Sequence, residues 1–225
     1  MPEKTNIITL DGPSGVGKST ISRRIAAQLG YTYLDTGAMY RAVGFYLKTQ
    51  SVDIDNFENV SACLGDITIR LLPARDEISD AGVILNGRDI SDRIRTPEIS
   101  MLASRVSTIP AVRMKLTEMQ RQIGAEGRVV AEGRDTGTVV FPEAAHKFFL
   151  DADIRERAHR RIRQMRLTGA AVDEREVFEM IQKRDRDDSE RSIAPLKKAE
   201  DALLIDTTGL TIEEVCSEIL HNIES

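Results

Sequence analysis

Eight consecutive residues, Gly12-Pro13-Ser14-Gly15-Val16-Gly17-Lys18-Ser19, satisfy the spacing G-x-x-x-x-G-K-[ST] at every fixed position. That spacing suits a polyphosphate: glycines let backbone N–H groups converge on phosphate oxygens, and a helix N-terminus behind them adds a favourable dipole. In such a loop the lysine, Lys18, is expected to reach the β- and γ-phosphates of a nucleoside triphosphate, and the Ser19 hydroxyl to sit on Mg²⁺. The mechanics require a strand before the loop and a helix after it. Ile7-Ile8-Thr9-Leu10 reads as the strand, and a helical pattern runs on to Leu29.

The loop places a triphosphate without saying what becomes of it. A guanine-reading switch would carry N-K-x-D, and no Asn here precedes a Lys. A motor ATPase would end a hydrophobic strand in an acidic pair, which Val129-Val130-Ala131-Glu132 matches only loosely. Arginine stands instead where a second phosphate could bind. Asp35-Thr36-Gly37-Ala38-Met39-Tyr40-Arg41 follows the second strand, so Arg41 lies near free helix N–H groups and could form an anion pocket. An ordinary capped helix fits the same residues. Glu132-Gly133-Arg134-Asp135-Thr136-Gly137 follows the third strand, at the carboxyl end where ligands of open α/β sheets bind. A simple turn with an internal ion pair fits there equally.

Two charged helices add geometry. At 100° per residue, Val177 and Ile181 share a stripe that Arg184, Asp188 and Arg191 continue, the last three within about 60° of each other. If the helix persists that far, these charges face the protein. In the preceding helix Ile154, Ala158, Ile162 and Met165 form the apolar stripe. Arg157 and Arg161 flank one edge as candidates for a lid over the triphosphate, with Arg160, Arg163 and Arg166 directed elsewhere.

The elements that must position these groups alternate. Runs at Ile7–Leu10, Thr32–Leu34, Val129–Ala131, Phe148–Leu150 and Leu203–Ile205 read as buried strands separated by helical patterns. The expected fold is α/β, with a five-stranded parallel sheet covered by helices on both faces. From Asp66 to Ile90 the pattern changes. Ile67-Thr68-Ile69-Arg70-Leu71 alternates, a reversal is expected over Pro73 to Asp80, and Val83-Ile84-Leu85 leads through Asn86-Gly87 to Arg88-Asp89-Ile90. This is an antiparallel insertion with a strong hairpin signal. Thr211 with Glu214, and Asp153 with Glu156, have capping-box spacing.

A formal charge of −5 argues against a general nucleic-acid coat. Only eight of the 31 basic residues are lysines, and arginine's planar fork suits bidentate phosphate contacts, although codon bias produces the same excess. Cys63 and Cys216 have no metal-ligand spacing and read as reduced thiols. No apolar run reaches membrane-spanning length and no apolar signal segment precedes the first strand, so a cytoplasmic monomer is expected, with small-molecule substrates and neither nucleic acid nor membrane as partner.

Taken together, these residues resemble bacterial cytidylate kinases of the nucleoside monophosphate kinase group. The resemblance rests on Gly12 to Thr20, on Asp35-x-Gly37-Ala38-x-Tyr40-Arg41, and on Ala103-Ser104-x-Val106 with Pro110-x-Val112-Arg113. It continues through Gly133-Arg134-Asp135-x-Gly137-Thr138-Val139-Val140-Phe141-Pro142 and Lys183-Arg184-Asp185 to Arg191 with Ala194-Pro195-Leu196. It implies a P-loop kinase core over residues 1–40, 106–153 and 192–225, a monophosphate-binding lobe over 41–105 carrying the insertion, and a helical lid over 154–191. It also implies transfer from Mg²⁺-ATP to CMP or dCMP. Ser104, Arg113 and Asp135 would read the cytosine, and Arg41, Arg134 and Arg191 would hold the acceptor phosphate. Arg184 and Asp188 would address the sugar. Thr36 stands where the family often has Ser; it keeps the hydroxyl and adds a methyl. Kinases for UMP, AMP, shikimate or dephospho-coenzyme A, and a slow P-loop switch, are the competing readings.

Overall fold

The computed structural model describes residues 5–73, 81–167, 169 and 172–224. Along the chain the order is β1 (Thr5–Asp11), α1 (Lys18–Leu29), β2 (Thr32–Asp35), α2 (Thr36–Thr49), α3 (Phe57–Cys63), β3 (Ile69–Leu72), β4 (Gly82–Leu85) and β5 (Arg88–Asp89). There follow α4 (Pro97–Val106), α5 (Pro110–Ile123), β6 (Val129–Gly133), β7 (Ala144–Asp151), α6 (Ile154–Leu167), α7 (Glu174–Glu190), β8 (Leu203–Asp206) and α8 (Ile212–Glu224).

The five apolar runs form one parallel sheet in the order β2-β6-β1-β7-β8. Side chains alternate across it, as strand geometry demands. Ile7 and Val129 enter a cluster with Leu34, Met39 and Leu116, under α2 and α5. Their neighbours Ile8 and Val130 enter a second cluster with Ile21, Ile25 and Ile219, under α1 and α8. Burying each such side chain contributes about 1.5–3 kcal/mol, so the two-sided pattern fixes which helix covers which face. The strand order reverses beside β1, between β6 and β7. A binding crevice is expected at the carboxyl ends there.

The insertion is a three-stranded antiparallel sheet in the order β3-β4-β5. Asn86 and Gly87 join its last two strands with φ of 48° and 77°, the left-handed pair that a tight hairpin needs. Pairing begins at Ile69, not Ile67, because a 3₁₀ turn over Leu64–Asp66 delivers Ile67 into the core before the strand starts. Most of the expected reversal, residues 74–80, lies outside the described residues. Val83, Leu85 and Ile90 of this sheet belong to the same cluster as Ile7 and Leu34.

Helices α6 and α7 pack on each other through Ala158, Ile162, Val177 and Ile181, the stripes expected from their periodicity. Helix α7 runs to Glu190 and Arg191 ends it in an extended conformation. Thr211 and Glu214 form a reciprocal capping box at the start of α8. The second box is half made: Asp153 accepts from the Arg155 and Glu156 amides, but the Glu156 carboxylate turns to Arg160 instead. Cys63 and Cys216 are free thiols. Among the described residues no helix is long and apolar enough to cross a membrane.

Candidate active site

A cleft of about 490 Å³ opens at the carboxyl ends of β1, β2 and β6 and is roofed by α4, α6 and α7. Its donor-side wall is the glycine-rich loop between β1 and α1. A Cβ at Gly12 would lie 2.0 Å from the Leu150 carbonyl oxygen, so only glycine admits the β7 backbone at the loop's root. Gly17 precedes α1 with φ 94°, and no side chain caps the helix. The amides of its first turn are left to a ligand. Ser14, Gly15, Gly17, Lys18, Ser19 and Thr20 line the cleft, whereas Gly12, Pro13 and Val16 support the loop from behind.

Lys18 is folded back on its own loop, donating to the carbonyls of Gly12 (2.7 Å) and Pro13 (2.6 Å). Burial, reinforced by Arg134, drives its ammonium well below the ordinary lysine range. Opposite it stands Glu132, buried near the end of β6. Burial and the Asp35 carboxylate push Glu132 up, while Lys18 and the hydroxyls of Tyr33 and Ser19 pull it down. The Tyr33 hydroxyl donates to its Oε1. Glu132 is thus the acidic strand end that matched the motor pattern only loosely, and its meaning comes from what the fold sets around it.

The opposite wall comes from five separate chain segments. Asp35 caps α2 by accepting from the Ala38 amide (2.8 Å), and its other oxygen accepts from Arg41 (2.9 Å). The Thr36 hydroxyl donates to the Glu132 carbonyl (2.6 Å), fastening the start of α2 to β6. Arg113 of α5 donates to Asp135 (2.6 Å), which also accepts from Arg191 (3.4 Å). Arg134 donates to Asp188 (2.8 Å), and the Arg184 guanidinium lies 3.9 Å from the same carboxylate. Ser104 lines this end of the cleft.

Cations outnumber their counter-charges here, and the titration behaviour shows it. Burial and then the neighbouring Arg134 push Arg184 down to about 10. Burial, with Arg113 adding to it, also lowers Arg191. Burial would raise Asp188, but Arg134 and Arg184 outweigh it and hold that carboxyl below its ordinary value. Asp135 goes the other way, raised by burial against the pull of Arg113 and Arg191. The Nε atoms of Arg41 and Arg184 are buried without a hydrogen-bond partner, although Arg184 Nε keeps its 3.9 Å ion pair with Asp188. Buried donors are hydrogen-bonded in native proteins as a rule, so these two stand out in a wall rich in guanidinium.

The expected lid arginines separate. Arg161 lines the cleft beside Gln164. Arg157 is buried behind it, donating to the Ser14 carbonyl of the loop (3.2 Å), the Ala152 carbonyl (3.0 Å) and Asp185 (2.7 Å). Arg160, which helix periodicity directs elsewhere, also lines the cleft while holding Thr207 and Glu156. Asp11 and Ser107 had no sequence signal of their own. Asp11 follows the last apolar residue of β1, and its buried carboxylate accepts from the amides of Thr136 (2.9 Å) and Gly137 (2.7 Å) and from the Thr136 hydroxyl (2.8 Å). Those bonds hold the turn of π-helix over Thr136–Val140.

Comparison with known proteins agrees with this geometry. The cytidylate kinase family model matches residues 8–225. A cytidylate kinase of Carboxydothermus hydrogenoformans is 48% identical over 216 residues, covering 95% of each chain. One from Syntrophotalea carbinolica is 49% identical over 215 residues, covering 96% of this chain and 90% of that one. A gluconokinase from Sinorhizobium meliloti, at 12% identity and a TM-score of 0.50, covers 99% of this chain and 93% of its own, a likeness of fold alone. Matched by the family model over residues 8–225 and nearly half identical to these relatives along almost all of its length, this chain belongs to the cytidylate kinase family.

Proposed function

We propose that this protein transfers the γ-phosphoryl group of ATP to CMP or dCMP, releasing ADP and CDP or dCDP. The observation that carries the reading is the pair of buried donors without a hydrogen-bond partner, Arg41 Nε and Arg184 Nε, in a wall already rich in guanidinium. A monoanionic or neutral acceptor leaves that charge uncompensated; a nucleoside monophosphate answers it. On this reading Arg41, Arg134 and Arg191 hold the acceptor phosphate. Ser104, Arg113 and Asp135 face the base, and Arg184 and Asp188 the sugar. Residues 41–105 act as the acceptor lobe and 154–191 as the lid, with Arg157 and Arg161 at its hinge and mouth.

The acceptor oxygen is already anionic, so no side chain has to remove a proton. Catalysis is positioning plus neutralisation of charge spread over the transferring group. Lys18 supplies one positive charge once a triphosphate draws it from the Gly12 and Pro13 carbonyls, and an adjacent anion favours its charged form. Mg²⁺ fits the oxygen donors present, the Ser19 hydroxyl with the Glu132 carboxylate beside it. Bound there, it neutralises phosphate charge. The deciding experiment is ADP release measured with CMP, dCMP, UMP, AMP and no acceptor. Release is expected to depend on acceptor and to be fastest with the cytidine nucleotides; equal release without acceptor would overturn the reading.

A further inference from the structure

Ser107 sits at the C-terminal end of α4, 6% exposed, and touches both arginines that grip Asp135. Its hydroxyl donates to the Ser104 carbonyl (2.7 Å) and accepts from Arg191 Nη1 (3.2 Å). Its backbone carbonyl accepts from Arg113 Nε (3.1 Å). Arg113 and Arg191 in turn both donate to Asp135, at 2.6 Å and 3.4 Å. The four residues therefore close a ring, Ser107–Arg113–Asp135–Arg191, drawn from α4, α5, the loop after β6 and the end of α7.

We infer that Ser107 is a positioning residue for acceptor recognition, fixing Arg191 against Asp135 so that the phosphate and base contacts are set together. The inference rests on the acceptor assignment above. The argument is geometric. Arg191 is long, and a guanidinium with many rotamers is useful only when its fork is pre-aimed. Three contacts aim it: the Ala194 carbonyl takes Nε (2.6 Å), Ser107 takes Nη1 and Asp135 takes Nη2. Of these, the Ser107 hydroxyl alone also reaches the turn that carries Ser104. The hydroxyl can accept from Arg191 because its proton is committed to the Ser104 carbonyl. Alanine removes both bonds and leaves the backbone bond to Arg113 in place, so the substitution loosens one side of the ring only.

The test uses the full-length enzyme with Ser107→Ala, Ser107→Thr and Arg191→Ala. Ser107→Ala is expected to raise KM for CMP about three- to tenfold, the change that losing one hydrogen bond of typical net strength produces while Arg191 keeps its other partners. KM for ATP should stay within about twofold, and the preference for CMP over UMP should fall because Asp135 shares the loosened arginine. Ser107→Thr keeps the hydroxyl and is expected to restore both. If Ser107→Ala raises the KM of ATP and CMP alike while lowering the unfolding temperature, the residue is merely structural and the inference is wrong. An unchanged KM for CMP also overturns it. Arg191→Ala separates the two levels: if that variant too uses CMP normally, the acceptor assignment fails, and if it does not, only the ring fails.

Discussion

Val83, Leu85 and Ile90 of the antiparallel sheet lie in one apolar cluster with Ile7 and Leu34 of the parallel sheet, whereas Ala158, Ile162, Val177 and Ile181 of the α6–α7 pair form a small cluster of their own. The pair is joined to the core mainly by polar ties. Arg157 reaches the Ser14 carbonyl, Arg160 reaches Thr207, Asp188 takes Arg134 and Arg191 meets Asp135. Apolar continuity is non-directional, and separating it exposes area at about 25 cal/mol per Å². A hydrogen bond between charged groups is directional and can be exchanged for one to a ligand at small net change. The antiparallel sheet is therefore fastened more firmly than the helical pair, whose polar ties a ligand could exchange. Sites that open and close are drawn from parts with few buried apolar contacts to the rest.

The donor loop lies outside both regions and carries the largest expected effect. Lys18→Ala should reduce phosphoryl transfer by about 10³-fold or more with the unfolding temperature nearly unchanged; near-normal turnover would remove the loop from the chemistry. Next comes a paired truncation that tests the contrast directly. Leu85→Ala should cost about 2–5 kcal/mol of global stability, whereas Ile162→Ala should loosen α6 and α7 alone, read as faster amide exchange there and little change in the sheet. Equal global losses would mean that the two regions are fastened alike.

Arg191→Ala should raise KM for CMP about 10- to 100-fold, as expected for losing charge-assisted bonds, with ATP binding retained. Arg184→Gln should do something less usual. Its folded value, about 10, lies below that of an exposed arginine, so Arg184 stays charged at neutral pH but carrying that charge costs the folded state stability. Removing that charge is expected to raise the unfolding temperature, by about 2–4 °C for each kcal/mol relieved, while CMP binding weakens. A fall in both would show that its packing outweighs the crowding. The smallest effect is one of pH. Asp135 takes up its proton above the ordinary carboxylate range, so acidification from neutrality loosens its hold on Arg113 and Arg191. KM for CMP should rise about threefold before KM for ATP moves. A parallel rise in both would point to Glu132 or Asp11, whose carboxyls burial also raises.

Much of the frame was legible because it depends on local pattern. The five apolar strands, the Asn86-Gly87 turn and the stripe from Val177 to Arg191 follow from periodicity and backbone conformation. What escaped depends on partners distant in sequence. Ser107 looks like any helix-ending serine until α7 brings Arg191 to it across 84 positions. Arg160 leaves its helical stripe because Thr207, at the end of β8, draws its guanidinium across. Glu156 has the spacing of a cap partner, yet Arg160 one turn on competes for it. Ile67 alternates like a strand residue but is taken by the core first.

Asp11 precedes the phosphate loop by one residue, and its carboxylate grips the chain just beyond Arg134 and Asp135. The root of the phosphate loop and the root of the arginine wall are thereby pinned to a single mount between β1 and β6, which are themselves paired from Ile7 to Asp11. The distance between the loop and the arginine wall is then gauged by the sheet, and it does not depend on how helices α6 and α7 are seated.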